Sequence, residues 1–511
     1  MIMAGPQGRG PAQVSIESRE SDPELQQRRR GATYFPERLL GAAVITTVGR
    51  QNGRLLYVTA SPVLDADQQV DYYLGLLGDD QRAKSTQVRI VSVDDDSCRW
   101  LSEKVLDPDN PRAAQVRTVI GEFVERERHA GAPVHLSYFE PSLGLERFAR
   151  ALGVPGNQAD AVHIPLGTKH ASRQLFVQAG IEIPAGTPLC RSVRELAERI
   201  ADLTRLGYRR VLVKLDGTTY AGAFGQALLD LRDLDASQTV DQAILADRIL
   251  IALPRAVLRD TGITWADFAR VVEESGAIAE ELVGNGTAPS PSFQGRLADD
   301  GTVEVISTHE QVFEAQDGTF TGCAFPASAA YRREVIDCGV RVGRALVSCG
   351  VTRGDFGVDF LATWTTAGWR LLGCEINLRA TATKHALTMV CGLLDTSTTA
   401  DGCILVDGAQ RVYEATDSLA DPRYVGLRPR ELIRAVAASP LGYDPARRSG
   451  VVLHMMSSAI EHGKFGAVSI GVDSAQTSAQ LVALRELVDS LAVSRRAAGQ
   501  QRSSADSKAC G

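Results

Sequence analysis

The nine cysteines of the chain include no C-x-x-C pair. That argues for reduced thiols and against a disulfide framework or a cysteine-built zinc site. No apolar run approaches the roughly 20 residues that span a bilayer. The basic triplet Arg28, Arg29 and Arg30 is not followed by an apolar stretch, so it does not read as a secretion signal. Basic residues are not in excess either: a net charge of -7 leaves no general footprint for nucleic acid. No G-x-G-x-x-G follows a strand-like run, which excludes a standard dinucleotide site, and no internal repeat is visible. What remains is an ordinary globular composition, 44% hydrophobic and 23% charged. Cytoplasm is the expected compartment, with no membrane and no nucleic-acid partner. At 511 residues the chain is too long for one simple core.

Residues 1–31 are polar and rich in Gly and Arg, and residues 493–511 are similar; both stretches are expected to be disordered tails. From Tyr34, the runs "AAVITTVG", "RLLYVTAS" and "QVRIVSVD" have strand length, and helical patterns such as "AAQVRTVIGEFVERERHA" alternate with them. The alternation predicts an α/β domain over residues 32–155. A second unit is expected over 156–400. There Thr168 can cap a helix that Gly180 ends, and "YRRVLVKLDG" reads as a strand entering a glycine loop. Residues 226–272 read as mostly helical, "GAIAEELV" as a strand stopped by "GNG", and 325–349 as a helix. A C-terminal domain over 401–492 contains "HMMSSAIEHGKFGAVSIGV" and a last helix.

Two neighbouring runs carry the chemistry. In a strand, alternate side chains face opposite ways. In "LLGCEINL", Leu372, Cys374, Ile376 and Leu378 make an apolar face and leave Glu375 and Asn377 on the other. In "DFGVDFLA", Phe356, Val358 and Phe360 do the same for Asp359. The short "TWTTAGW" between them predicts a hairpin. Opposing Asp359 to Glu375 requires a three-residue loop, 366–368, with Gly368 in the left-handed position. Two carboxylates that close repel unless a cation lies between them. Asp359, Glu375 and the Asn377 amide oxygen are hard donors of the kind that suit Mg²⁺, which shares itself with substrate phosphates.

Three further segments fit a nucleotide. In "VLVKLDGTTYAGAFG", Lys214 ends a strand and Gly217, Gly222 and Gly225 space the loop after it; glycines let backbone N–H groups surround phosphate oxygens. Lys169 lies in a helix's first turn, where a cation opposes the helix dipole unless an anion is bound. The strand "AEELVGNG" could offer its backbone to an adenine edge, with Glu280 or Glu281 bonding the amino group or a lysine.

Taken in order, Lys169 with "GIEIPAG", the strand–lysine–glycine loop, "EELV", "GVDF" and "EINLR" resemble the ATP-grasp superfamily of carboxylate–amine ligases over about residues 160–390. The resemblance implies an α/β pre-ATP-grasp domain, an ATP-grasp fold of two α+β subdomains clasping ATP, and a small C-terminal α+β region. It implies that Lys169 and Lys214 hold the ATP phosphates under the loop of Gly217, Gly222 and Gly225. It places Glu280, Glu281 and Val283 at adenine and ribose, and one or two Mg²⁺ ions (Mn²⁺ as a substitute) on Asp359, Glu375 and Asn377. Arg379 falls where an E-x-N-x-R strand places an arginine at the reacting phosphoryl and acyl groups, so Arg379 and Lys214 are the catalytic candidates. Many members carry a further acid for the ribose; "GNGTAPSPS" has none.

More narrowly, the chain resembles the pheganomycin-type peptide ligases. That implies joining an N-guanidino amino acid, through its carboxylate, to a peptide amine, with ATP spent on an acyl phosphate. Arg296 and His385 are candidates to accept the acyl donor. The alternatives are a biotin carboxylase-like enzyme and a non-catalytic ATP-sensing protein. A homodimer is the commonest assembly.

Overall fold

The computed structural model describes residues 9–20, 23, 27–28, 37–218, 225–234, 241–313 and 320–509, with side chains as far as 496. Its first element corrects the expectation of a disordered head. "AQVSI" forms strand β1 (Ala12–Ile16), in which Ala12, Val14 and Ile16 are fully buried. The strand is interior, lying between β2 (Arg54–Thr59) and, on its other side, β4 (Val134–Ser137); β3 (Val88–Ser92) flanks β2. All pairings are parallel. Helix α1 (Pro111–His129), capped by the Asn110 side chain, covers this sheet with Val116, Ile120 and Phe123. The strand order reverses between β1 and β4, and the region outside the carboxyl ends of such strands is the usual place for a ligand.

A second correction concerns "AAVITTVG". It is helical, not a strand, across residues 40–50. Leu40, Val44, Ile45 and Val48 are all fully buried, and a helix apolar on every side belongs inside a core.

The second sheet is antiparallel, ordered β7-β6-β5-β8: β5 (Arg210–Leu215), β6 (Gln226–Asp230), β7 (Val257–Leu258) and β8 (Ala277–Glu281). Residues 226–230 are thus strand where helix was expected; Ala227 and Leu229 point into the core of this subdomain. Helix α2 (Lys169–Gln178) precedes the sheet. The Thr168 hydroxyl accepts from Ala171 N as its cap, and Gly180 takes φ 67° just after its end.

The third sheet has nine strands among the described residues. Its path is β13 (Gly368–Asn377), β12 (Gly354–Thr365), β9 (Pro291–Leu297), β10 (Val303–Phe313), β11 (Phe320–Phe325), β15 (Ala409–Ala420), β17 (Lys464–Gly471) and β16 (Gly450–His454), with β14 (Ile404–Val406) beside β15. Helix α3 (Arg332–Ser348) packs on β9 and β10, and α4 (Lys384–Leu394) follows β13. The sheet runs across residue 400 unbroken, so the region expected as a separate C-terminal domain shares its sheet with the middle unit. One core even joins residues 40–76 to residues 386–492. The last helix, α5 (Ser474–Ala509), passes through the stretch expected to be a disordered tail. Among the described residues no helix is long and apolar enough to cross a membrane.

Candidate functional site

The hairpin of β12 and β13 pairs Asp359 with Glu375 and Gly357 with Asn377. The loop is shorter than expected. Thr365 pairs with Gly368, leaving two residues in the turn, and Gly368 takes φ 114°. The difference is absorbed by a bulge: Asp359 pairs with Glu375, but Phe360 pairs with Gly373, so Cys374 is the extra residue. The bulge turns Cys374 off the core face to which strict alternation assigned it, and its Sγ lies 3.5 Å from Lys214 Nζ. The second and third sheets therefore meet at Lys214 and Cys374, with the acid pair beside them.

Around the pair, each charge has a partner. Lys169, in the first turn of α2, lies 2.5 Å from Glu375 Oε1. The Asn377 amide nitrogen donates to Asp359 Oδ2 at 3.0 Å, and Arg379 Nη2 donates to Asn377 Oδ1 at 3.0 Å. The two acids titrate apart. Burial and the neighbouring Glu375 charge push the Asp359 carboxyl up to about 7. Burial also pushes Glu375 up, but Lys169, Lys214 and Arg379 outweigh it and hold Glu375 below the ordinary carboxylate range. Asp359 is thus the less readily ionised acid of the pair. Two carboxylates and an amide on one strand face make a donor set that fits a hard divalent cation.

Lys214 is buried on β5. Its ammonium contacts Glu280 Oε2, and Arg173 of α2 lies 2.5 Å from Glu280 Oε1. Burial alone would lower the Lys214 pKa, but Cys374 and Glu280 beside it raise it, so it stays charged. The Glu280 side chain is committed to these two cations. Glu281 is committed too: its Oε1 accepts from Ala185 N at 2.9 Å. Val283 opens a short turn, 283–286, beyond β8. In the loop after β5, the Asp216 carboxylate accepts from His170 N at 2.8 Å, tying the loop to the start of α2. Gly217 leads that loop and Gly225, φ 71°, closes it; Gly222 lies outside the described residues.

Arg379 leaves the hairpin and reaches the N-terminal sheet. Its Nε is 3.6 Å from Glu140 Oε1, and its guanidinium carbon is 6.0 Å from the centre of the Phe139 ring. Phe139 and Glu140 follow β4, at the carboxyl end of the parallel sheet. Arg38 approaches the same ring at 5.3 Å. Glu20, beyond β1, donates its backbone N–H to Glu140 Oε2 at 2.8 Å and accepts from Ser102 Oγ at 2.6 Å. The segment after Arg379 lies close over the sheet: a Cβ on Gly357 would stand 2.6 Å from Thr381 Cγ2, so only glycine fits there. Thr381 Oγ1 donates to Gln294 Oε1 at 2.6 Å.

The structure does not bring Arg296 and His385 to the metal-type face. Arg296 pairs with Asp355 at 3.2 Å, four positions or roughly 13 Å along β12 from Asp359. His385 is fully buried against Asp417 at 3.0 Å. The residues that sequence reasoning missed are Arg173, Cys374, Glu140, Phe139, Glu20 and Gln294. A signal existed for Gln294, since "PSFQGRL" alternates Ser292, Gln294 and Arg296 against Phe293 and Leu297. Gly373 inside a strand was a cue for the bulge.

Comparison with solved structures places this architecture. Biotin carboxylase from Campylobacter jejuni, solved as a β,γ-ATP complex, superposes over 93% of this chain and 90% of its own, with TM-score 0.51 and 11% sequence identity. The chain has the ATP-grasp fold. A second ATP-grasp neighbour is the biotin carboxylase domain of the Hydrogenobacter thermophilus 2-oxoglutarate carboxylase, solved with MgADP, ADP and bicarbonate. It matches over 91% of this chain and 87% of its own, at TM-score 0.50 and 12% identity. Within the curated proteins, L-propargylglycine–L-glutamate ligase of Streptantibioticus cattleyicolor is 33% identical over 338 residues. That alignment takes in 65% of this chain and 65% of the relative's length. Residues 431–479 match the family described as the PGM1 C-terminal domain.

Proposed function

We propose that the protein is an ATP-dependent carboxylate–amine ligase that couples an amino-acid-like acid to an amino group and releases ADP and phosphate. The observation that carries this reading is the opposed Asp359/Glu375 pair, flanked by Lys169 and Lys214 and followed by Arg379. The kinship to an amino-acid ligase supports it.

In this reading Asp359, Glu375 and Asn377 hold Mg²⁺, which supplies charge neutralisation to phosphate oxygens when bound. Lys214 and Lys169 face the phosphates. The glycine loop beginning at Gly217 covers them and excludes water that would hydrolyse an activated acid. A substrate carboxylate oxygen attacks the γ-phosphorus, and the bond from that phosphorus to ADP breaks. The amine then adds to the acyl carbon, loses a proton, and phosphate leaves with the former carboxylate oxygen. Arg379, reaching across to Glu140, stabilises the oxyanion of that addition and orients the acyl group by two donors. Positioning supplies much of the rate, since the protein needs no nucleophile of its own.

The finer proposal is a guanidino amino acid as the donor and a peptide amine as the acceptor. Its support is the cluster beyond β1 and β4, where Glu140 and the Phe139 ring hold the planar guanidinium of Arg379, with Glu20 beside them, the contacts that a guanidino substrate would also use. Because the curated relative is named for two amino acids, a single amino acid is the second acceptor class. The test is ADP release across acid and amine pairs, with the coupled product weighed by mass spectrometry. Release that depends on bicarbonate instead of an amino acid would refute the proposal.

A further inference from the structure

Away from the nucleotide face, a second set of ligand-type side chains is buried where α4, β15 and β16 meet. His385 opens α4, Asp417 lies on β15 and His454 ends β16. Each presents one ligating atom, all within 4.8 Å of one another. His385 Nε2 is 3.0 Å from Asp417 Oδ1, and His454 Nε2 is 3.8 Å from the same oxygen. The two imidazole rings cross with centres 4.7 Å apart.

Hydrogen bonding leaves this cluster incomplete. Among the described residues neither ring nitrogen of His454 has a hydrogen-bond partner, nor does His385 Nδ1. His454 is fully buried, where unmade polar bonds are costly. The ring's place is also built into the strands. His454 opposes Gly466 on β17, and a Cβ on residue 466 would stand 2.1 Å from His454 Cε1. The imidazole therefore lies in space that only glycine leaves. Arg38 engages the other carboxylate oxygen, Asp417 Oδ2, at 3.0 Å, the outer position that orients a ligating carboxylate. Arg38 and the nearby Lys464 face the cluster as cations, and Glu17 is the acid beside Arg38 and His385.

We propose that His385, Asp417 and His454 form a binding site for a divalent first-row transition ion, zinc by donor type: two imidazole nitrogens and one carboxylate oxygen. The ion ties α4, which begins just after the Arg379 loop, to β15 and to β16, the latter within the matched C-terminal segment.

The test uses the full chain, purified without chelator. Elemental analysis is expected to find about one equivalent of zinc per chain. Protein stripped of metal is expected to take up Co²⁺ with the strong visible bands of an imidazole-ligated ion, unlike the weak bands of the all-oxygen nucleotide face. His454→Gln and Gly466→Ala, the second displacing the ring without removing it, are each expected to weaken uptake at least about tenfold. Wild-type protein that shows no such bands with Co²⁺ and carries no zinc overturns the proposal. So does zinc retained in full by either variant. The wild-type spectrum decides the matter even if a variant fails to fold.

Discussion

Removing Lys214 should destabilise the small antiparallel subdomain through Glu280, separately from any effect on nucleotide binding. Lys214 and Glu280 are 5% and 2% exposed. Breaking a pair buried that deeply costs about 3–5 kcal/mol when the remaining charge has no other partner. Here Arg173 stays 2.5 Å from the other Glu280 oxygen, which cuts the expected cost of Lys214→Met to about 2 kcal/mol. Glu280→Gln alone strands both Lys214 and Arg173, although Arg173 keeps its bond to Pro184 O at 3.1 Å. The double variant should therefore lose about 1 kcal/mol less than the two single variants together, a coupling within the usual range for contacting residues. Urea unfolding of the four proteins, followed by hydrogen exchange in β5 and β8, measures it. A Lys214→Met protein as stable as wild type, or a double variant whose loss equals the sum of the two single losses, would refute the claim that Glu280 is a committed partner of this lysine.

Other expected outcomes are briefer. Asp359→Asn and Glu375→Gln should each lower ligation by at least about 10²-fold, because each removes charge at the face proposed to hold Mg²⁺, while far-UV circular dichroism is unchanged. Arg379→Lys should cost about 10²–10³ in kcat with the nucleotide Kd preserved, since it acts on the acyl group; an unchanged kcat would remove it from the site. Burial, above all, raises the Glu37 carboxyl to about 7 in the folded chain. A raised acid binds its proton more tightly when folded, so the fold gains from protonation below the unfolded value near 4.5 and loses that gain as pH rises through about 7. The shift corresponds to about 3 kcal/mol. Glu37→Gln, which can still accept from Ser457 N, should thus stabilise the protein at pH 8 and hardly at all at pH 4, as read by thermal unfolding. Glu20→Gln should lower kcat/KM about tenfold for a guanidino acid and little for an uncharged one.

How much was legible depended on whether the signal was local. The two-residue period of "DFGVDFLA" and "CEINLR" contains the opposition of Asp359 and Glu375, because strand faces follow from backbone geometry alone. The same rule misassigned Cys374, since one inserted residue flips the phase, and only Gly373 hinted at it. β1 was hidden because its five residues sit within a Gly- and Arg-rich head, and what buries them is β2 and β4, distant in sequence. "AAVITTVG" has β-branched residues, yet burial on every side favours the helix. Glu140, Phe139 and Arg173 reach the site only through the meeting of three sheets, and no spacing in the sequence records that.

The central claim is that the acid pair, its flanking lysines and Arg379 drive ATP-dependent coupling. ADP release by the purified protein, measured with Mg²⁺ across amino acids, guanidino acids, peptides and bicarbonate, tests it most directly. The account predicts ADP in step with a product whose mass equals acid plus amine less water, lost in Glu375→Gln. ATP bound without ADP from any pair, or ADP formed only with bicarbonate, would contradict it.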